Sequence, residues 1–321
     1  MRMPPDQSLT KVRHVDGTLV DSVRAFNRTV TQRVGALDDR YLARNRPLGE
    51  SRVLWEIGPQ GCDVRTLRSR LDLDSGYLSR LLRSLEAAGL VTVGPGEPDR
   101  RVRTARLTAA GVAERALLGR RSDALARSML EPLDDTQRRR LVAAMGEVQR
   151  LLTATLVEIA AVDPTDHRAQ HCLRAYVAEL DRRFDAGFDP AQSLPADPGE
   201  MRPPAGLFLL ATLRHEPAGC GALKFHGDAP TELKRMWVAP TARGLGVGRR
   251  LLAELERRAA EHGSRTIRLE TNRSLTEAIA LYRSAGYREV GAFNDEPYAN
   301  HWFEKHLGEA LDASSGGARE A

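Results

Sequence analysis

Long apolar runs are missing from this sequence of 321 residues. Hydrophobic residues make up 41% of the chain, but no stretch approaches the roughly 18 consecutive apolar residues of a membrane-spanning helix. The first residues are polar, include prolines and lack the apolar core of a signal peptide. We therefore expect a cytoplasmic protein with no membrane partner.

Cysteine is also scarce. Cys62, Cys172 and Cys220 are odd in number and do not share the close spacing of metal ligands. They predict reduced thiols, as in cytoplasmic proteins, and no bound metal. A repeated unit is absent as well, while the length is sufficient for two domains of ordinary size.

Positive charge is concentrated in one half of the chain. Residues 1–160 hold 27 Lys and Arg against 20 Asp and Glu, whereas the remaining residues hold 21 against 23. A basic half favours a polyanionic partner for that half alone. Lysine is scarce and arginine supplies most of the positive charge, which by itself indicates little about function.

A glycine-rich stretch near residue 246 organises the second half. An apolar run ends at Pro240, a turn follows, and Val247, Leu251 and Leu255 then recur on one helical face. Backbone N–H groups near Gly246 can close around an oxyanion, and the helix N-terminus adds partial positive charge. The predicted pyrophosphate contacts are Val238, Arg243, Gly244, Leu245, Gly246, Val247, Gly248 and Arg249, with Arg250 as a further cation. The alternative is a glycine-rich turn with no ligand.

The Arg-x-x-Gly-x-Gly spacing from Arg243 to Gly248 resembles the acetyl-coenzyme A loop of GNAT-family N-acetyltransferases. The run at residues 278–287 resembles the helix-into-strand signature of the same family, and the resemblance covers roughly residues 167–307. It implies acetyl-CoA as co-substrate and an amine acceptor. It also implies that Tyr282 protonates the leaving thiolate and that Glu232 takes the proton of the amine. Simple packing of Tyr282 and a surface position for Glu232 remain the alternatives.

A helix-turn-helix pattern precedes this half. Asp63 can cap a short helix, and after a turn a second helix has an apolar face of Leu78, Leu81, Leu82 and Leu85 before Gly89 ends it. Two strand-like runs with a turn at residues 94–98 follow, and the second carries Arg101 and Arg103. Arginines on a β-ribbon suit phosphate contacts and the narrow minor groove of DNA. A basic hairpin that binds protein is the alternative.

The Asp-x-Arg at Asp99–Arg101 and the Leu-Thr-Ala-Ala-Gly run at residues 107–111 resemble the MarR family of winged-helix regulators. The match spans roughly residues 15–160. It implies that Arg101 enters the minor groove of an operator in double-stranded DNA and that Asp99 orients it. The full set of predicted DNA contacts is Ser75, Ser79, Arg80, Arg83, Asp99, Arg100, Arg101 and Arg103.

Residues 15–43 and 134–161 are predicted to be helical and to carry apolar positions that one small wing domain cannot cover. They predict a homodimer interface, as the MarR resemblance also implies. We place a mainly-α winged helix-turn-helix domain at residues 1–161, a linker at 162–166, and an α/β acetyltransferase domain with a mixed central sheet at 167–308. Residues 309–321 are predicted to be a disordered tail.

Three classes of function remain open. The chain is an enzyme that also regulates transcription, a regulator that senses acetyl-CoA or an amine without turnover, or an acetyltransferase whose winged helix only dimerises it. The loop, Glu232 and Tyr282 favour the first class over the second. The arginines of the wing favour it over the third. The loop at residues 184–190, with two phenylalanines and two aspartates, either shapes an acceptor pocket or caps a helix.

Overall fold

A computed structural model describes residues 16–36, 42, 45–96, 101–194 and 196–308. The chain divides into two compact units, Met1–Arg139 and Arg140–Ala321. Asp99, Arg100 and the tail at residues 309–321 lie outside the described residues, so the predictions made for them stay predictions.

The first unit consists of helices with a small sheet. Its elements are α1 (Gly17–Arg33), α2 (Leu48–Ile57), β1 (Cys62–Asp63), α3 (Val64–Leu71), α4 (Ser75–Ala87), β2 (Val91–Pro95), β3 (Arg103–Leu107), α5 (Ala109–Leu130) and α6 (Asp135–Thr155), within which the border between the units falls. The three strands pair antiparallel in the order β1-β3-β2. The sequence prediction missed β1, which has only two residues.

Side-chain caps fix the helix-turn-helix pair. Asp63 accepts hydrogen bonds from the backbone N–H groups of Arg65 and Thr66, as its position before α3 predicted. Asp74 caps α4 through the N–H of Tyr77. The four leucines predicted for the inner face of α4 are all buried, and they form the core of the unit with Val53, Leu54, Ile57 and Leu67.

Two helices have no buried residue in the described part of the chain, α1 and α6. The predicted first helix is too long, because α1 ends at Arg33 and turns at residues 34–36. Leu19, Val23 and Phe26 on α1 remain 48–60% exposed. These faces are available for a partner.

The prediction of a helix that continues to Ala161 is wrong. Helix α6 ends at Thr155, and Val157–Ala161 forms strand β4, which pairs antiparallel with β5 of the second unit. Val157 is buried and Glu158 is exposed, which is the alternation of a strand rather than of a helix. Pairing with the edge of a sheet overrides the helical spacing of the preceding leucines. A domain border at residues 162–166 therefore stays a proposal.

The second unit is a seven-stranded mixed sheet with helices. After β4 its elements are α7 (His167–Arg183), β5 (Gly206–Leu213), β6 (Glu216–His226), β7 (Ala229–Val238), a 3-10 turn (Pro240–Ala242), α8 (Val247–Glu261), β8 (Thr266–Thr271), α9 (Thr276–Ser284), β9 (Arg288–Val290) and β10 (His301–His306). The strand order is β4-β5-β6-β7-β8-β10-β9. The mixed sheet expected from the sequence is confirmed.

The sheet opens between β7 and β8. These neighbouring strands run parallel and pair only at Thr231↔Ile267 and Glu232↔Arg268. Beyond Glu232 they separate, so one end of the sheet contains a cleft. A β-bulge in β7 lies at this cleft, because the pairing with β6 shifts between Cys220↔Trp237 and Ala222↔Lys234.

The core of this unit lies between the sheet and its helices. Helix α8 contributes Val247, Leu251, Leu252, Leu255 and Ala259, the apolar face predicted for it. Cys62, Cys172 and Cys220 are buried free thiols, as predicted. In the described ranges, no helix is long and apolar enough to cross a membrane.

Candidate functional sites

The exposed face of α4 carries the predicted base-reading residues. Ser75, Ser79, Arg80 and Arg83 are all exposed. The Ser79 hydroxyl donates to the Ser75 carbonyl at 2.7 Å, and Nε of Arg83 donates to the Ser79 carbonyl at 3.2 Å. Arg80 lies over the ring of Tyr77, with 5.6 Å between its Cζ atom and the ring centroid. One face of the second helix of the pair is therefore polar and cationic.

The wing is the hairpin of β2 and β3. It closes through the hydrogen bond from the Gly96 N–H to the Val102 carbonyl, at 2.6 Å. Arg101 and Arg103 are exposed at its end. The N–H of Val93 donates to the Glu86 carboxylate at 2.9 Å, which ties the wing to α4. The helix and the ribbon are thus held together as one surface.

Left-handed backbone shapes the loop before α8. Gly244 and Gly246 have φ angles of +77° and +74°, which side chains with a Cβ rarely adopt. Gly248 is glycine for another reason, since a Cβ there would lie 3.3 Å from Leu281. Helix α8 begins at Val247 without a side-chain cap, so the N–H groups of its first turn have no partner within the helix.

Two arginines that the sequence predicts as cations of the pyrophosphate site make contacts within the protein. Nη2 of Arg243 lies 2.6 Å from both carboxylate oxygens of Glu179 on α7. Arg250 donates to the carbonyls of Ala154 and Val157 at 2.6 and 2.7 Å, so it holds the start of β4. Among the described residues, the side chain of Arg249 makes one long contact, 3.5 Å from Nη2 to the Ser284 hydroxyl.

A cavity of about 420 Å³ lies in front of this loop. Of the predicted contacts, all but Leu245 line it. Its walls are α7, the end of β7, the loop and α9, represented by Glu179, Arg183, Trp237, Gly246, Glu277 and Tyr282. The N-terminus of α8 in the wall of a mostly apolar cavity fits a pyrophosphate joined to an apolar arm. We name it the cofactor cavity.

A second, smaller cavity of about 80 Å³ adjoins the first. Tyr176, Met236 and Tyr282 line both cavities, so these residues mark their junction. The smaller cavity is lined in addition by Arg235, Glu270, Glu296 and the three aromatic residues Phe184, Phe188 and Tyr298. We name it the acceptor cavity. The loop at residues 184–190 therefore contributes to a pocket.

Tyr282 is buried at the junction, with 4% of its surface exposed. Burial raises the pKa of its phenol well above the ordinary value of 10.0, and the nearby Tyr176 and Glu270 add to this effect. The phenol therefore keeps its proton at neutral pH. Burial also raises the pKa of Tyr176, which the neighbouring Arg235 partly offsets. Two protonated phenols meet at the junction.

Glu232 lines neither cavity. Its carboxylate lies 3.3 Å from Nζ of Lys234 and 3.7 Å from Nε2 of His226. Lys234 also pairs with Glu270, which does line the acceptor cavity and is almost buried. Glu270, the carboxylate of the acceptor cavity that pairs with Lys234, is therefore on β8, the strand next to the one that carries Glu232.

Sequence reasoning missed three residues that shape the site, Glu179, Tyr176 and Arg235. Glu179 and Tyr176 lie on α7 three residues apart, one helical turn, and this spacing was readable. Their partners on β7 were not, because the β-bulge that turns Arg235 toward α7 has no clear signature in the sequence. In the described ranges, no group of three or more His, Cys, Asp or Glu could hold a metal ion.

A split pair of parallel strands, an uncapped helix N-terminus after a glycine loop and two adjoining cavities define an acyl-CoA-dependent transferase. The chain belongs to the acetyltransferase (GNAT) family, which residues 170–287 match. It is accordingly an acetyl-CoA-dependent N-acetyltransferase. Residues 45–102 match the MarR family, so the chain combines the two domains.

Two relatives and one solved structure are similar to parts of this chain. The chain is 36% identical over 123 residues to an IAA acetyltransferase of Azospirillum brasilense. The aligned residues cover 38% of this chain and 79% of that protein. It is 34% identical over 100 residues to an N-acetyltransferase of Schizosaccharomyces pombe, covering 30% and 61% of the two chains. A GNAT-family acetyltransferase of Staphylococcus aureus aligns with 19% identity over 47% of this chain and 99% of that chain, with a TM-score of 0.41.

Proposed function

We propose that this chain is a bifunctional transcriptional regulator. Its first unit binds an operator in double-stranded DNA as a homodimer, and its second transfers an acetyl group from acetyl-CoA to an amine. The observation that carries the enzymatic half is the position of Tyr282, a buried protonated phenol shared by the cofactor and acceptor cavities. A binding domain that only sensed acetyl-CoA would not need a proton donor between two cavities.

The loop residues bind the cofactor. The backbone N–H groups of Val247, Gly248 and Arg249 at the start of α8 face the pyrophosphate, and Gly244 and Gly246 leave room for it. Val238 and Leu245 border this site, and the Arg249 side chain adds a cation. Arg243 acts indirectly, because its pair with Glu179 holds the loop against α7. The bound cofactor supplies an activated thioester carbonyl.

Acid–base work falls to side chains at the junction. Tyr282 donates a proton to the sulfur that leaves, as general acid. Glu270 faces the acceptor cavity and receives the ammonium group, so we propose it for the contact that the sequence assigned to Glu232. Glu232 pairs with Lys234, which also pairs with Glu270, so Glu232 affects the acceptor cavity through Lys234. Phenols, carboxylates and water suffice for these steps, so the proposal includes no metal.

DNA binding rests on charge and shape. Ser75, Ser79, Arg80 and Arg83 present the polar face of α4 to the major groove. Arg101 and Arg103 of the wing bind at the minor groove. Asp99 and Arg100 are proposed as further DNA contacts of the wing. The exposed apolar faces of α1 and of α6 favour a homodimer, and two-fold symmetry favours a palindromic operator.

Release of CoA thiol tests the enzymatic half. Purified protein is mixed with acetyl-CoA and a set of amines in single-turnover experiments, and acetylated products are identified by mass. We expect amine-dependent thiol release that saturates with acetyl-CoA. Tight binding of acetyl-CoA without release for any amine would instead identify a sensor.

A further inference from the structure

Arg235 is a strained residue at the acceptor cavity. It lies in the bulge of β7, where its φ angle is +56°, a left-handed conformation that is unfavourable for a residue with a Cβ. Strained residues of this kind concentrate at functional sites. The bulge places Arg235 beside the acceptor cavity and not among the residues that line the cofactor cavity.

The charge of Arg235 is not balanced by a neighbouring acid. Lys234, the other cation of the acceptor cavity, pairs with Glu270 and Glu232. Among the described residues, no carboxylate forms an ion pair with Arg235 within 4.0 Å. Its guanidinium instead lies over Tyr176, with 5.7 Å between Cζ and the ring centroid. A planar cation next to the reaction site suits a carboxylate.

The remaining wall of the acceptor cavity is aromatic. The ring centroids of Phe184, Phe188 and Tyr298 lie 4.8–5.7 Å apart. Glu296 is occupied in holding this wall, since its carboxylate accepts from the Ser193 hydroxyl and from the N–H groups of Leu194 and Tyr298. Glu270 is the other acid that lines the acceptor cavity, and it lies close enough to both tyrosines to affect their pKa values.

We propose that the amine acceptor is a single α-amino acid with an aromatic or large apolar side chain. Its carboxylate binds Arg235, its amino group faces Glu270 and the two tyrosines, and its side chain lies against the aromatic wall. Arg235 and Glu270 both neighbour Tyr176, as a carboxylate and an amine on one carbon atom require.

This inference rests on the proposed acetyl transfer. In that step the amine nitrogen forms a bond to the thioester carbonyl carbon and the carbon–sulfur bond breaks. The ammonium group loses two protons in total. One leaves through Glu270 to water, and the other replaces the proton that Tyr282 gives to the sulfur.

Two acceptors that differ only in the carboxylate test the inference, L-phenylalanine and 2-phenylethylamine. We measure kcat/KM for each with the full-length protein. A charge-assisted bidentate contact predicts a preference for L-phenylalanine of about 10–100-fold. In R235Q the preference should fall to within a few-fold, and in R235K it should be intermediate.

Arg214 provides the matched control. It also has a left-handed φ angle, +52°, and it lies in the turn between β5 and β6, outside both cavities. R214Q should retain the full preference and serves as the reference for folding, checked by melting curves. Equal use of both acceptors by the parent, or an undiminished preference in R235Q, would overturn the inference while acetyl transfer stands. Failure of the parent to acetylate any amine would overturn both proposals.

Discussion

Glu179 on α7 binds Arg243 in the cofactor loop, since both carboxylate oxygens of Glu179 lie 2.6 Å from Nη2 of Arg243. The indole N–H of Trp237 donates to the same carboxylate at 2.8 Å, and Arg183 does so at 3.2 Å. One nearly buried carboxylate therefore fixes the end of β7, the loop and α7 at once. Arg243 therefore holds the loop against α7.

Replacement of Glu179 by Gln should weaken both stability and cofactor binding. Hydrogen bonds to charged groups contribute about 1.5–3 kcal/mol each, but Arg243 is 43% exposed and water screens its share. We expect E179Q to lose about 1–3 kcal/mol of unfolding free energy in urea denaturation. Acetyl-CoA affinity in calorimetry should fall, because the loop loses its anchor.

E277Q is the control for this change. It removes the pair of Arg183 with Glu277, which is 68% exposed, and changes a long contact with the Thr276 hydroxyl, so the loss should be about 0–1 kcal/mol. If E179Q costs no more than E277Q, Glu179 is not an anchor.

The effect of Glu179 should depend on pH. Burial opposes its ionisation, but the donors from Arg243 and Trp237 outweigh burial, so its pKa lies below the ordinary 4.5. A carboxyl group with a lowered pKa in the folded state stabilises above its unfolded pKa, and this stability is lost as pH falls through the folded pKa. The difference in unfolding free energy between parent and E179Q should be complete at neutral pH and shrink below about 4.5. A difference that does not change with pH would contradict this ionisation.

Local patterns predicted elements in both units. The faces of α4 and α8 follow from leucine spacing, and the glycine loop follows from its motif, because each depends on residues close in sequence. Strand β4 escaped prediction since its partner, β5, lies some fifty residues later. Short-range sequence patterns do not show which edge strand of a sheet is left unpaired.

The site was predictable where it depends on backbone and less so where it depends on side-chain partners. Gly246 was predicted from the glycine spacing of the motif, and its φ angle of +74° explains why the turn contains glycine. The protein partners of Arg243 and Arg250 were not predicted. Both arginines carry the charge that binds phosphate, and only the fold determines which carbonyl or carboxylate group each one contacts. The same limit applies to Glu232 and Glu270, because only the fold shows that Glu270 and not Glu232 lines the acceptor cavity.

The pyrophosphate site can be tested at Gly246. G246E places a side chain at φ +74° and a negative charge in front of the α8 N-terminus. We expect acetyl-CoA affinity to fall by at least about tenfold, which corresponds to 1.4 kcal/mol. Calorimetry with acetyl-CoA measures the change.

Gly263 offers the matched control at the other end of α8. Its φ angle is +93°, and like Gly246 it has no atom within 4 Å of an added Cβ. G263E should lose a similar stability, roughly 1–2 kcal/mol from left-handed strain, and retain cofactor affinity. Equal affinity of the two variants would remove the assignment of the loop.

The wing can be tested at Arg101. Replacement by Ala should weaken operator binding by about 1–3 kcal/mol if the residue reads the minor groove. Loss of one phosphate contact should also reduce the slope of log affinity against log salt by about 0.9. Mobility-shift titrations at several salt concentrations measure both quantities. R127A removes an exposed charge from α5 and should change neither, so equal behaviour of R101A and R127A would exclude a special role for the wing.

Tyr282 separates an enzyme from a sensor. Y282F keeps the ring, its burial and its packing against Tyr287 and Phe303, and it removes only the hydroxyl group. General-acid contributions are typically about 10²–10⁴-fold, so the rate constant for transfer should fall by that order. Acetyl-CoA and DNA affinities should change little, since the loop and the wing are untouched. Single-turnover kinetics measure the rate constant, and melting curves check the fold.

Tyr287 supplies the control that distinguishes chemistry from packing. It is a second buried tyrosine with a raised pKa, caused first by burial, and its ring centroid lies 5.8 Å from that of Tyr282. It lines neither cavity, so Y287F should retain near-normal transfer even if stability changes. A rate in Y282F close to that of Y287F would transfer the proton-donor role to Tyr176 or to water. If neither the parent nor either variant releases thiol, the protein is a sensor. In that case no carbon–sulfur bond breaks, and the phenol of Tyr282 has no thiolate to protonate.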